Sequence, residues 1–328
     1  MKRRELLLAA SALAWPGFAL GQAPGGLRRI GWLTGGSPKS HAKPLEAFRA
    51  GLKDYGWVEG RNIALELRWA EGKLDRLPAL AAALVALKPE AIVTAANVVH
   101  LAVRKQTSTI PIVMATGADP VEAGLAASFA RPGGNVTGLT GFYEATPIKM
   151  VELAAALVPG GARVALLMDA NFNTAAFRAQ LRETLRDPAR AAGLRVEIVE
   201  VSTRDDVARA LAALGKNRPA ALVVLPGSMI FAMGSELVAL AEAPGVPVIY
   251  PFEELVEAGG LMSYASPLVD SYRRAAYFVD RILKGAKPGE LPIEQPTRLS
   301  LAINLKRAKA QGIRLPQEVL LRADRVIE

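Results

Sequence analysis

The chain has 328 residues, no cysteine, two histidines and a formal net charge of +9. Lack of cysteine excludes a disulfide framework, a thiolate metal site, a cysteine nucleophile and a lipobox anchor. The basic residues are spread along helical patterns (Arg49, Lys53, Arg178, Arg182, Arg186, Arg273, Arg274) instead of clustering with aromatics, which argues against a nucleic-acid surface.

In chain order, residues 1–21 come first and have the form of an export signal. Lys2, Arg3 and Arg4 make a positive start, residues 6–15 are mostly apolar, Pro16-Gly17 break the run, and Ala19-Leu20-Gly21 fits a small-x-small cleavage site. The run is too short to span a bilayer. Arg3-Arg4 followed by Leu6-Leu7 also fits a twin-arginine signal, so both export routes stay open. The leader holds three basic residues and one acid, a net +2, which leaves +7 on the mature chain. A soluble, exported, unlipidated protein is expected, as suits the periplasm of a double-membraned bacterium.

Apolar bursts then alternate with helical patterns. Strands are predicted to begin near Ile30, Ile63, Ala91 and Pro111, and in a second series near Val164, Val196, Ala221 and Val246. Runs such as 221–225 are continuously apolar, the mark of parallel strands covered on both faces. Leu45, Phe48, Leu52 and Tyr55 repeat at helical spacing. So do Tyr272, Ala275, Ala276, Val279, Ile282 and Leu283, ended by Gly285, and their aromatics read as core. After Gly285, Pro288, Pro292 and Pro296 predict an extended connector, followed by a short helix over 305–310. The pattern predicts an α/β protein of two similar βαβ lobes in tandem, since a mature chain of about 300 residues exceeds one core.

Each predicted strand ends in small or polar residues, where open α/β sheets bind ligands. The first half offers Gly36-Ser37, Asn97, and Thr116-Gly117-Ala118-Asp119, with a helix expected to open at Asp119-Pro120. The second half offers Asp169, Asn171, Gly227-Ser228 and Phe252-Glu253. Glycines let backbone approach a ligand, and following helices present free N–H groups to a carboxylate. Asp119 and Glu253 are candidate partners for an ammonium, and Phe252, Tyr143 and Tyr264 for an apolar side chain. Simple helix capping competes with binding at every one of these positions. Asp119-Pro120-Val121-Glu122 has the form of an N-cap, a proline at N1 and a capping-box glutamate.

No dinucleotide fingerprint, phosphate-loop spacing or nucleophile elbow occurs. His41 and His100 lie far apart without metal-ligand spacing. No catalytic residue, metal or cofactor is nominated.

The chain resembles the TrpX-like substrate-binding proteins of ABC transporters, a branch of the type I periplasmic binding proteins. The resemblance is carried by RRIGWLTGGSP, by GLKDYGWVEGRNIALELRWAEGKLDRLPALAAALVALKPEAIV and by TIPIVMATGADPVEAGLAASFARPGGNVTGLTG. GGLMSYASPLVDSYRRAAYFVDRILKGAKPGELPIEQPTRLSLAINLKRAKAQGI and the tail LLRADRVIE also match. Over residues 165–245 only the strand-and-helix rhythm agrees. Relatives often have Val-Gly-Asp-Pro where this chain has Thr116-Gly117-Ala118-Asp119-Pro120.

The resemblance implies two Rossmann-like, three-layer lobes joined by a hinge of crossing strands. The N-terminal lobe would be 27–139 plus about 265–285, and the C-terminal lobe 140–264 plus about 286–328. It implies a monomer that holds a small ligand, an amino acid or related carboxylate, in the inter-lobe cleft and delivers it to an inner-membrane ABC permease. An exported sensing module and an enzyme on the same scaffold are the alternatives. A two-cysteine racemase is excluded.

Overall fold

The computed structural model describes residues 26–141, 145–171, 175–241 and 246–328. The leader at 1–21 and Tyr143 lie outside the described residues. The first half runs β1 (Arg28–Thr34), α1 (Ala42–Asp54), β2 (Ile63–Trp69), α2 (Leu77–Ala86), β3 (Ala91–Ala95), α3 (Asn97–Arg104), β4 (Ile112–Thr116) and β5 (Val136–Gly138). These strands form a parallel sheet in the order β2-β1-β3-β4-β5. β1, β3 and β4 are buried nearly throughout, as continuous apolar runs between helical layers require.

The second half runs α4 (Ala145–Leu157), β6 (Arg163–Asp169), α5 (Ala175–Ala191), β7 (Arg195–Val201), α6 (Arg204–Lys216), β8 (Ala221–Val224), α7 (Ser228–Met233), α8 (Ser235–Ala241), β9 (Val248–Tyr250), α9 (Glu253–Glu257) and β10 (Met262–Ala265). Then follow α10 (Leu268–Leu283), β11 (Ser300–Asn304), α11 (Leu305–Gln311), α12 (Gln317–Leu321) and β12 (Arg325–Ile327). The second sheet has the order β12-β11-β10-β9-β8-β6-β7, with β11 antiparallel to β10. The eight strands read from the two apolar series are all present, each starting within two residues of its expected position.

Local chemistry fixes several element ends. Thr203 and Asp206 form a reciprocal capping box at the start of α6. Asn304 caps α11, which ends at Gly312 in the left-handed conformation.

α10 directly follows β10 of the second lobe in sequence but packs on the first, against α1. Gly51 makes this approach possible, since a Cβ there would stand 2.5 Å from the Arg273 carbonyl oxygen and 2.9 Å from the Ala276 Cβ. Residues 286–294 also lie along the first sheet: Gly133 N–H donates to the Gly289 carbonyl at 3.1 Å, and Thr137 Oγ1 to the Leu291 carbonyl at 2.8 Å. The chain therefore passes between lobes three times, after β5, after β10 and before β11. Arg274 clasps Glu294 through two hydrogen bonds of 2.9 and 2.7 Å beside these crossings. This is the type I periplasmic-binding fold.

The helix expected at Asp119-Pro120 does not form. Residues 120–124 make one turn, closed by Leu125 and Ala126 N–H groups on the Pro120 carbonyl at 2.8 and 3.1 Å. Gly124 then takes a left-handed φ of +68°, which turns the chain so that Leu125 is buried.

Candidate functional site

The C-terminal ends of β1, β3 and β4 face those of β8 and β9 across the inter-lobe cleft. They line a narrow cavity of about 40 Å³. The first lobe contributes Gly35, Gly36, His41, Ala95, Ala96 and Thr116; the second contributes Gly227, Ser228, Phe231 and Phe252; Leu268 and Tyr272 of α10 complete the wall. The lobes are in close contact here, since a Cβ on Gly35 would stand 2.7 Å from the Ser228 Cβ.

Aromatic rings dominate the wall. His41 packs edge-on against Phe231, with centroids 4.7 Å apart, and Phe231 packs edge-on against Phe252 at 4.8 Å. Tyr272 stacks on Trp32 at 4.9 Å, and Trp32 in turn contacts Phe48 and Trp69. These edge-to-face and stacked arrangements suit ring quadrupoles. His41 Nδ1 lies 3.1 Å from Ser40 Oγ, and burial pushes the imidazole down to a pKa of about 3 against one backbone hydrogen bond. It is neutral at physiological pH.

A second layer sets the backbone of the wall. Asn97 Oδ1 accepts the Ala118 N–H at 3.0 Å. His100 Nδ1 lies 2.7 Å from Thr94 Oγ1, and its Nε2 lies 3.0 Å from the Thr116 carbonyl. A carbonyl only accepts, so Nε2 carries the proton and Nδ1 accepts from the threonine. Burial lowers the His100 pKa to about 4. A side chain at Gly117 would meet His100 Nε2 at 2.6 Å and Asn97 Oδ1 at 2.9 Å, so the loop has room only for glycine. Ala96 stands at φ +71°, an uncommon conformation for a residue with a Cβ.

In the other lobe Asp169, 1% exposed, plays a similar part. Its Oδ1 accepts from Asn171 N–H at 2.9 Å and its Oδ2 from Met229 N–H at 3.3 Å, beneath Gly227. Burial raises its pKa, and these hydrogen bonds partly counter that.

The sequence-nominated residues thus separate into groups. Gly36, Thr116, Gly227, Ser228 and Phe252 line the cavity. Asn97, Gly117 and Asp169 stand behind it. Ser37 lines an outer crevice between the lobes, and Asn171 another. Asp119 Oδ1 accepts from Val121 and Glu122 N–H groups at 2.7 and 3.1 Å, the capping arrangement. Glu253 pairs with Arg325 of β12. Tyr264, on β10, packs half-buried against the second lobe's core.

Sequence reading did not nominate His41, Phe231, Leu268 or Tyr272. Tyr272 belongs to a regular apolar stripe and is also core, at 1% exposed. Its role in the wall appears only when α10 returns to the first lobe.

Around the cleft rim, Lys43 Nζ of the first lobe meets the Glu257 carboxylate of the second at 2.6 Å, and Arg325 meets the same carboxylate at 2.8 Å. Burial works to raise the Glu257 pKa, but these cations hold it below the usual carboxylate range. Neighbouring Glu254 is pushed up to about 7, first by burial and then by Glu257 and Glu253. Among the described residues no acidic or histidine cluster has the form of a metal site, and no helix is long and apolar enough to cross a membrane.

Residues 37–327 match the family model described as ABC transporter substrate binding protein. A tyrosine-binding protein from Clostridioides difficile (strain R20291) is 25% identical over 269 residues, 82% of this chain and 76% of the relative. An ABC domain from Streptococcus pneumonia, solved in complex with L-Trp, is 26% identical with a TM-score of 0.82, covering 92% of this chain and all of that one. A conserved domain protein from Vibrio cholerae is 25% identical, with the same TM-score and the same coverage. With a family match over nearly its whole length and the two-lobed fold around a closed cleft, the chain belongs to the ABC transporter substrate-binding protein family.

Proposed function

We propose that this protein captures a small amino acid with an aromatic or branched apolar side chain, or a related carboxylate, and delivers it to an ABC permease. The inter-lobe cavity carries this reading. Its rings from His41, Phe231, Phe252 and Tyr272 suit an apolar side chain, while Gly35, Gly36 and Gly227 bring main chain into the wall. The L-Trp complex and the tyrosine-binding relative support the same class of ligand. Residues 1–21 support export to the periplasm, where the ligand would be met.

Calorimetric titration with L-tryptophan, L-tyrosine, L-phenylalanine, branched-chain amino acids and the matching keto acids tests the ligand class. Binding of at least one with closure is expected, seen as a smaller radius of gyration. Failure of the whole panel, or turnover of a bound compound, would overturn the reading. N-terminal sequencing of periplasmic protein tests export, with Gln22 as the expected first residue.

A further inference from the structure

The ligand cavity has a larger neighbour. Beyond it lies a crevice of about 320 Å³ between the lobes. Lys39 and Lys43 line it from the first lobe, Glu254 and Glu257 from the second. The two spaces are divided by a wall built from one side chain of each lobe. The His41 ring lines the inner cavity, while its chain neighbours Ser40 and Ala42 line the outer crevice. Phe231 lines both. The two rings meet at 83°, and Phe252, which also lines the inner cavity, packs edge-on against Phe231 at 74°.

We propose that the His41–Phe231 pair is a septum that sets the maximum length of the ligand, with Phe231 as the specificity-determining residue. This rests on the ligand reading above. Because the lobes each supply one ring, the septum is complete only when they close. A ligand that fills the inner cavity closes it behind itself. A ligand extended by another residue-sized polar group would hold the rings apart. Without the Phe231 ring, the inner cavity would run into the outer crevice, where Lys39 could meet a terminal carboxylate. Loss of one well-packed contact surface in a binding pocket typically changes discrimination by about tenfold or more.

The test is calorimetric titration of the full chain, its Phe231→Ala variant and its Phe231→Leu variant with L-tryptophan, Trp-Gly and Gly-Trp. Thermal melts confirm that the variants fold. The expected result is that wild type binds tryptophan and rejects both dipeptides. Phe231→Ala should bind at least one dipeptide about tenfold more tightly than wild type does, with Phe231→Leu between them. A second readout needs no ligand. In a Trp15→Phe, Trp57→Phe background, only Trp32 and Trp69 of the four tryptophans report. Trp32 stacks on the cavity-lining Tyr272, so Phe231→Ala should increase quenching of its fluorescence by acrylamide. The proposal is overturned if wild type accepts the dipeptides as well as tryptophan, if a folded Phe231→Ala binds tryptophan yet excludes both dipeptides, or if quenching is unchanged. If wild type binds none of the three compounds, the aromatic-ligand reading is what fails, and the quenching comparison still decides whether the septum exists.

Discussion

His100 holds the Thr116 carbonyl through its Nε2–H at 3.0 Å, so a fully buried neutral imidazole braces the end of β4 in the wall of the inter-lobe cavity. Both histidines of the chain are in this situation. Burial places His41 at about 3 and His100 at about 4, against about 6.5 in an unfolded chain.

A pH dependence with a definite sign results. Between the folded and unfolded values, the unfolded chain takes up a proton at each histidine that the folded chain refuses. Stability is therefore complete above about pH 6.5 and falls as pH falls. Glu254 opposes this, because its folded value of about 7 lies above the ordinary glutamate value of 4.5, so its protonated form favours the folded state. From about pH 6.5 to about pH 5, two histidines outweigh one glutamate, and the net loss approaches about 1.4 kcal/mol per pH unit. Urea unfolding across this window measures it. Glu254→Gln should steepen the slope toward twice that value. A flat wild-type profile would mean that the folded imidazoles take up protons freely.

The contact between Gly35 and Ser228 predicts a compensating pair. Gly35→Ala places a methyl group 2.7 Å from the Ser228 Cβ and should hold the lobes apart. Overpacking of this kind costs about 1–3 kcal/mol, which here should appear as a ligand affinity weaker by roughly 5- to 150-fold. Ser228→Gly removes the opposing atom, so the double variant should recover part of the loss relative to Gly35→Ala. Titration of the two single variants and the double variant, read as a double-mutant cycle, checks the coupling.

Asp119 is expected to be a cap. Its Oδ1 is already engaged by the Val121 and Glu122 N–H groups. Asp119→Ala should cost about 1 kcal/mol of stability and leave affinity close to wild type. A loss of more than about tenfold in affinity without a change in melting temperature would instead place its carboxylate on the ligand.

Ala96 sits at φ +71° and ψ 142° in the cavity wall. Such conformations cost of order 1–3 kcal/mol for a residue with a Cβ, and glycine adopts them at an entropic cost of about 0.5–1 kcal/mol. Ala96→Gly should raise stability by about 1 kcal/mol, seen as a higher melting temperature. A lower one would show that the Cβ packs well enough to outweigh the strain.

The two-lobed architecture was legible because buried parallel strands leave continuous apolar runs, and both series of runs became sheets. The glycine and small-residue strand ends were legible for the same reason. Gly36, Thr116, Gly227 and Ser228 lie where a strand stops, and the topology brings such ends together. The rings were harder to place. Phe231 and Tyr272 have ordinary helical surroundings, and only the fold aims them at the cleft. Asp119 and Glu253 stand close to strand ends, but hydrogen bonding to a local turn and pairing with Arg325 engage their carboxylates. Chain position near a strand end does not fix the direction of a side chain. The turn at Pro120 was missed as a helix because its opening residues are the same. Gly124, four residues later, redirects the chain.

The return of α10 to the first lobe also governs the order of assembly. Trp57 Nε1 donates to Asp280 Oδ1 at 2.9 Å across 223 residues of chain, and α1 finds its partner helix only after the second lobe has been made as far as β10. Until then a nascent chain leaves the apolar face of α1, with Phe48 and Leu52, without its cover. The first lobe is therefore completed only after most of the second has been synthesised, and a fragment ending before Leu268 should depend on a holdase to stay in solution.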